Sequence, residues 1–271
     1  MHKLLIPLLA WGLAAAGLPP AAAQMAPPTW GNPDQPWGTR RPVTADDQTL
    51  IASYRSAGRT PALQTDFTDP AELQTLWSVQ SDDRSDLDAC RQPQSVVATP
   101  TGLQLRTRAA VGKCHARWST GFLISKSTWS YGFFEARVQA ADVSGLNNAF
   151  WLVSPGKFEI DVAEVHYPDD LHMTLHRWAS STGTAVGFDS RFKSDFSKGL
   201  HDFGVLWTPT DIIWEVDGRA IAAVATHGAI SQPVDIRFST ALAPFAGEVP
   251  ANPAGHHMAV SALRVVPLGG R

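Results

Sequence analysis

Cysteine is nearly absent from this chain, with Cys90 and Cys114 the two examples in 271 residues. Neither belongs to a C-x-x-C or Cys/His pattern. The pair is therefore expected to form a disulfide in an oxidising compartment rather than to supply a catalytic thiol. Closing that loop contributes roughly 3 kcal/mol in the chain-entropy model. An excess of one charge is also lacking. Lys and Arg number 22 against 25 Asp and Glu, for a net −3. With no basic patch and no charge run, nothing indicates a nucleic-acid partner or a membrane surface. Internal repeats and low-complexity tracts are missing, and hardly any helical period persists. Beyond the first two dozen residues no apolar run is long enough to span a bilayer.

What is present begins with a leader. Met1-His-Lys3 is basic, Leu4 to Gly17 is apolar, and Ala21-Ala-Ala-Gln24 is a small-residue exit. These are the three parts of a secretory signal peptide over residues 1–23, cleaved after Ala23. Pro7, Pro19 and Pro20 interrupt the stretch and argue against a membrane anchor. A secreted or periplasmic, monomeric product is the expectation. Residues 24–62 are rich in Pro, Gly and Trp and read as an N-terminal extension, flexible or lying across the surface. A short helix is expected around Gln48–Tyr54.

From Leu63 to Arg271 short runs of Val, Ile, Phe, Trp and Thr alternate with turn clusters. Strands are expected at 95–98, 103–107, 121–124, 132–140, 149–153, 159–165, 172–178, 202–207, 212–216, 220–224, 235–239 and 259–266. So many short strands point to an all-β sandwich or jelly roll of two antiparallel sheets. Nine tryptophans follow the leader. Flat indoles suit sugar faces, but Trp also fills cores.

The most informative segment is Phe158-Glu-Ile-Asp-Val-Ala-Glu-Val165. Ile160, Val162 and Val165 separate the acids Glu159, Asp161 and Glu164, giving one greasy face and one acidic face. Crowded like charges cost stability and shift one another's pKa, so they mark a functional site. Strict alternation turns Glu164 to the greasy face, and a bulge at Val162–Ala163 returns it to the side of Glu159. Four strand steps then separate the two glutamates by about 13 Å at Cα. Side chains leaning together close this to about 5 Å, the spacing of a retaining glycosidase, whereas an inverting enzyme needs roughly 6.5–9.5 Å.

Neighbouring strands sort in the same way. Tyr131, Phe133, Glu135, Arg137 and Gln139 share one face, which is either a cleft floor or an ordinary half-solvated strand surface. His172, Thr174, His176 and Trp178 share another. The His172-x-x-x-His176 spacing lacks both the glutamate of a zinc helix and a third ligand, so zinc is not expected on that pair.

Glu159-Ile-Asp-Val-Ala-Glu164 resembles the E-I-D-x-x-E signature of glycoside hydrolase family 16 in its bulged form. Tyr131-Gly-Phe-Phe-Glu-Ala-Arg137, Asn148-Ala-Phe-Trp-Leu152, His201-Asp-Phe-Gly-Val-Leu-Trp-Thr-Pro209, Ile212-Ile-Trp-Glu-Val-Asp-Gly218 and Ser261-Ala-Leu-Arg-Val-Val266 resemble further family strands in the family's order. The resemblance implies a jelly roll with an open cleft and an endo-acting, retaining mechanism on a polysaccharide. Glu159 matches the nucleophile, Glu164 the acid/base, held protonated at rest, and Asp161 the residue assisting between them.

The same resemblance implies cleft roles for Glu135 and Arg137, aromatic sugar contacts at Trp151, Trp207 and Trp214, and a histidine near the acid/base at His176. Face position adds Asn148 and Trp178. No cofactor is expected. The family allows a structural calcium, and no residue set in the sequence marks one. Pro155-Gly-Lys-Phe158 replaces the Trp that many glucan-cleaving members carry before the signature. Ser125, Lys126 and Tyr131 to Arg137 resemble the galactan-cleaving branch, so β-glucan and galactan or exopolysaccharide both stand as substrates. A transglycosylase and a non-catalytic carbohydrate-binding jelly roll are the alternatives.

Overall fold

The computed structural model describes residues 34–181 and 183–269. The expected leader, residues 1–23, and the first part of the extension lie outside the described residues. In chain order the elements begin with β1 (Thr39–Arg41), α1 (Ala45–Arg55), β2 (Leu63–Thr65), α2 (Pro70–Leu76), β3 (Trp77–Val79), β4 (Ala89–Arg91) and β5 (Val96–Thr99). There follow β6 (Gly102–Arg106), β7 (Arg108–Ala109), β8 (Trp118–Thr120), β9 (Phe122–Ser125), β10 (Gly132–Gln139), β11 (Leu146–Ser154), β12 (Phe158–His166) and β13 (Asp170–Arg177). The last are β14 (Ala185–Arg191), β15 (His201–Trp207), β16 (Asp211–Val216), β17 (Arg219–Ala225), β18 (Asp235–Leu242) and β19 (His257–Pro267).

Two antiparallel sheets make a jelly-roll sandwich. The nine-stranded sheet runs β1-β17-β16-β15-β10-β19-β6-β5, with β2 also paired to β19. The seven-stranded sheet runs β14-β13-β12-β11-β18-β9-β3. Strand alternation sends one side chain in two into the space between them. Phe134, Ala136 and Val138 of β10 and Val205 of β15 meet Phe150, Leu152, Ile160, Met173 and Leu175 of the other sheet. Each such large apolar side chain, fully buried, contributes roughly 1.5–3 kcal/mol relative to exposure. The hairpin from β16 to β17 turns on Asp217 and Gly218, at φ 51° and 83°. Two consecutive left-handed residues form the tight turn that suits the twist of a hairpin, and Asp-Gly is a favoured sequence for it.

The outer face of the nine-stranded sheet is covered by α1. Ile51 and Tyr54 pack on Phe133, Leu206, Ile213 and Ala223. Thr44 and Asp47 cap the helix reciprocally, and β1 pairs with β17. The described part of the extension therefore lies across the surface, with its helix near the expected place.

Residues 179–200, read from the sequence as a loop, contain the edge strand β14. Val186 and Phe188 give it one inward apolar pair, but Gly187 between them lowers its strand propensity and hides it. This glycine sits so close to β13 that a Cβ there would be 2.6 Å from the Met173 carbonyl oxygen. A third small sheet, β4-β8-β7, leaves no periodic signal in the sequence because each strand is two or three residues long. It carries Cys90, which forms the expected disulfide with Cys114. Among the described residues no helix is long and apolar enough to cross a membrane.

Candidate active site

The three acids lie on β12, near the middle of the seven-stranded sheet. Pairing with β11 matches Phe150 to Ala163 and Trp151 to Asp161, skipping Val162. Pairing with β13 matches Asp161 to Thr174 and Glu164 to His172, with the irregularity between. The extra residue is thus a bulge at Val162–Ala163, where sequence alternation required one. Val162 and Ala163 are both buried in the core, and Glu164 regains the outer face with Glu159 and Asp161. A bulge disrupts its ladder locally, and freed backbone groups need partners. The Trp214 indole, reaching across from β16, donates to the Asp161 carbonyl oxygen at 2.8 Å.

Registers across the sheet give the remainder of this face. From β13 come His172, opposite Glu164, and His176, opposite Glu159. From β11 come Asn147 and Trp151, backed by Ser239 and Arg237 of β18. Asn147 Nδ2 donates to Glu164 Oε1 at 2.6 Å. Nε2 of His176 lies 3.2 Å from Asp161 Oδ2, and Glu159, Asp161 and His176 each offer an atom within 4.8 Å of the others. Trp151 Nε1 donates to Ser239 Oγ at 3.1 Å, and the Arg237 guanidinium sits 4.8 Å above its ring centre. Trp178 stacks on His176 at 4.6 Å and 7°, yet is 47 % exposed. That leaves a flat apolar surface beside the strand pair carrying Glu159.

Burial pushes Glu159 up to about 8. The Asp161 charge adds to this and the Glu164 charge adds less, while His176 opposes. Burial, then the Glu164 charge, holds Asp161 well above the usual carboxylate range, and its hydrogen bond with Glu159 opposes this. Burial also lowers His176, against the pull of Glu159 and Glu164. The cluster therefore retains protons at neutral pH, and the first proton to account for is one on Glu159. Carboxylates this close titrate as a group, so a single proton can be exchanged among them.

At the far end of the same face, His166 closes β12 opposite Asp170 of β13. Burial, then the neighbouring His172, lowers His166 to about 4. Although Asp170 is partly buried, which opposes ionisation, its bonds to His172 and Asp189 and the Arg191 charge hold it down at about 2.

Several expected substrate contacts are elsewhere. Glu135 and Arg137 belong to β10 of the other sheet, on the face that α1 covers. Glu135 is fully buried between Arg55 Nε at 2.7 Å and Arg264 Nε at 2.9 Å. Arg137 Nε bonds Asp202 at 2.7 Å, and Arg55 reaches the same carboxylate. These charges pin a helix to a sheet and do not approach the acids. Trp207 and Trp214 point into the core with no exposed surface. Trp214 nevertheless serves the site from beneath, through the bulge. Asn148 is one residue out of phase. It faces inward and satisfies backbone groups of Ala141, Leu146 and Val165, while Asn147 holds Glu164. The signal was available, because Trp151 on the outer face requires Ala149 and Asn147 there too. Trp151, His176 and Trp178 do share the face of the acids. Arg84, bonded to Asp86, also lies within charge reach of Glu159, and no pattern around it in the sequence signals this.

A jelly roll that clusters three carboxylates on the outer side of one sheet has the equipment of an enzyme that cleaves glycosidic bonds. Residues 84–259 match the glycosyl hydrolases family 16, and the chain belongs to that family. It is 33 % identical over 138 residues to the endo-1,3-1,4-beta-glycanase EglC of Rhizobium meliloti, covering 48 % of this chain and 29 % of that protein. A second endo-1,3-1,4-beta-glycanase of that organism, ExsH, is 30 % identical over 135 residues, with the same shares covered. The chain thus spans less than a third of the length of these relatives. Among solved structures, the laminarinase catalytic domain of Thermotoga maritima superposes with a TM-score of 0.70 at 16 % identity, covering 78 % of this chain and 98 % of that one. This likeness confirms the fold.

Proposed function

We propose that the protein is an endo-acting, retaining β-glycanase that cleaves internal bonds of a polysaccharide by double displacement. The observation that carries this reading is the bulge in β12, which turns Glu159 and Glu164 to one open face with Asp161 between them. In the first step a Glu159 oxygen attacks the anomeric carbon while the bond to the leaving sugar breaks. Glu164 gives its proton to the departing oxygen. In the second step Glu164 takes a proton from water, whose oxygen attacks the same carbon and releases Glu159. Two inversions give net retention.

The reactive ionisation has one proton on the Glu159–Glu164 pair, residing on Glu164. Asp161, buried and bonded to Glu159, is the group through which that proton and the nucleophile's charge are balanced. Trp178 offers an apolar surface for a sugar ring beside the acids, while Trp151, stacked with Phe122 and lying under Arg237, presents its edge on the same face. The names of the relatives support a β-1,3 or mixed 1,3-1,4 glucan ahead of a galactan. The Cys90–Cys114 bridge supports action in an oxidising compartment, in keeping with the leader read at residues 1–23.

The test is azide rescue. Glu159→Ala and Glu164→Ala should each lose turnover while keeping the fold. Azide should restore Glu159→Ala to give a glycosyl azide of inverted configuration. Full activity in either variant would sink the mechanism, and an inverted azide from Glu164→Ala would reverse the roles. Reducing ends released from laminarin, lichenan, agarose and carrageenan would separate the substrates.

A further inference from the structure

Three clusters among the described residues bring at least three potential ligand groups within reach of one ion. In the first, Asp83 with Cys90 and Cys114, both sulfurs are consumed by the disulfide. The second, Glu159, Asp161 and His176, is the proposed catalytic group. The third is His166, Asp170 and His172, and the glycanase reading gives it no task.

This cluster sits across one hairpin. His166 ends β12, Tyr167 to Asp169 turn the chain, and Asp170 and His172 open β13. Register places His166 against Asp170, with His172 two residues further along on the same face, opposite Glu164. One ring nitrogen from each histidine and one Asp170 oxygen lie within 4.8 Å of one another. The two imidazoles are 4.4 Å apart between centres. His166 is 8 % exposed, and its Nε2 is buried without any hydrogen-bond partner. A buried nitrogen left so costs about 1–3 kcal/mol. Asp170 Oδ2 accepts from Arg191 at 2.9 Å, and the carboxylate also bonds His172 and Asp189. Asp189, opposite His172 on β14, adds a second carboxylate to the surroundings.

We propose that His166, Asp170 and His172 form a binding site for a single divalent transition-metal ion of the zinc class. Two imidazole nitrogens and one carboxylate oxygen match zinc's preferences, and a water completes four-coordination. Tetrahedral bonds of 2.0–2.1 Å put ligand atoms about 3.3 Å apart. The present separations close to that with small side-chain rotations. A hard ion such as Mg2+ takes oxygen ligands and is rejected by the imidazoles. This pairing differs from the His172-x-x-x-His176 spacing, whose members lie about 13 Å apart along one strand and cannot share an ion. The bound ion clips the two strands of the hairpin together at the end of the acidic face. The proposal stands independently of the glycanase reading.

The experiment titrates chelator-stripped full chain with ZnCl2 by calorimetry. One site per chain is expected, with Kd micromolar or tighter and no uptake of Mg2+. His166→Gln and, separately, Asp170→Asn should weaken it at least about tenfold, since even residues one shell further out are worth 10–100-fold. Zinc at a hundredfold excess over Kd should raise the parent's Tm by about 5 °C or more and leave His166→Gln unmoved. Co2+ in place of zinc should show the visible absorption of a four-coordinate ion with nitrogen ligands. Absence of zinc binding by folded parent protein would overturn the proposal. So would unchanged affinity in both variants, which would put the ion on other histidines such as His256 and His257.

Discussion

Glu159→Gln should stabilise this protein, and by an amount that grows with pH. The Glu159 carboxyl sits at about 8 in the folded chain against an ordinary 4.5. Below pH 4.5 both states hold the proton and the group contributes nothing to stability. Between 4.5 and 8 the folded state keeps a proton that the unfolded state releases, so stability falls as pH rises. Above 8 the full cost of the buried charge is present. The linkage relation gives a cost of about 1 kcal/mol at pH 5, about 3 at pH 7 and about 4 at pH 8. Water penetration at a partly exposed side chain reduces these, so a gain of roughly 2–3 kcal/mol for Gln at pH 8 relative to pH 5 is the expectation. Gln retains an amide that can donate to Asp161. At about 2–4 °C per kcal/mol for a chain of this size, the variant's lead in Tm should widen by about 4–12 °C between the two pH values. Calorimetric melts of parent and variant at pH 5 and pH 8 measure it, and the titration of every other group largely cancels in the difference. An equal Tm difference at the two pH values, or a variant less stable at pH 8, would refute the reasoning that burial and the Asp161 charge raise Glu159.

The remaining expectations concern the supports of the site. Arg55→Met should cost about 2–3 kcal/mol in urea melts, less than the 3–5 of a fully broken buried pair because Arg264 remains on Glu135. Activity per folded molecule should hold, and a large fall in kcat would mean that this charge network reaches the acids after all. Trp214→Phe removes the indole donor from the bulge carbonyl and should cost about 1–3 kcal/mol, with kcat falling more than KM rises. An unaltered kcat would show that the bulge needs no such partner. Trp178→Ala should raise KM about fivefold, roughly 1 kcal/mol of lost stacking, with kcat almost unchanged. No change in KM on a soluble glucan would remove Trp178 from the sugar path.

Some of this was legible in the chain because chemistry and geometry conflicted locally. Glu164 stands five residues after Glu159, a spacing that strict alternation cannot reconcile with one acidic face. Only a bulge resolves it, and so the bulge could be read before the structure. The disulfide followed from there being two cysteines and no other pattern. What was not legible lies where one strand's meaning depends on another element. Gly187 stands in β14 because β13 lies against it, and with a glycine between its two inward apolar residues the strand looks like a loop. Trp214 is a core residue whose polar atom serves a carbonyl on the opposite sheet, and no local pattern carries that link.

The faces of β10 and β11 make the general point. Alternation shows that Glu135 and Arg137 point away from the space between the sheets, but not whether that outer surface meets solvent or another layer. The answer was written eighty residues earlier, in Ile51, Tyr54 and Arg55. A helix that puts two apolar side chains on Phe133 and a guanidinium on Glu135 turns an apparent cleft floor into a second core. On β12 no layer arrives. Glu159 and Glu164 remain partly exposed, Trp178 stands nearly half exposed beside them, and the charges on this face are mostly carboxylates and imidazoles rather than closed Arg–carboxylate pairs. The buried charge network under α1 anchors structure, and the acids of β12 stand where a substrate can reach them. Both faces carry acids, and what separates them is whether another layer of the fold covers them.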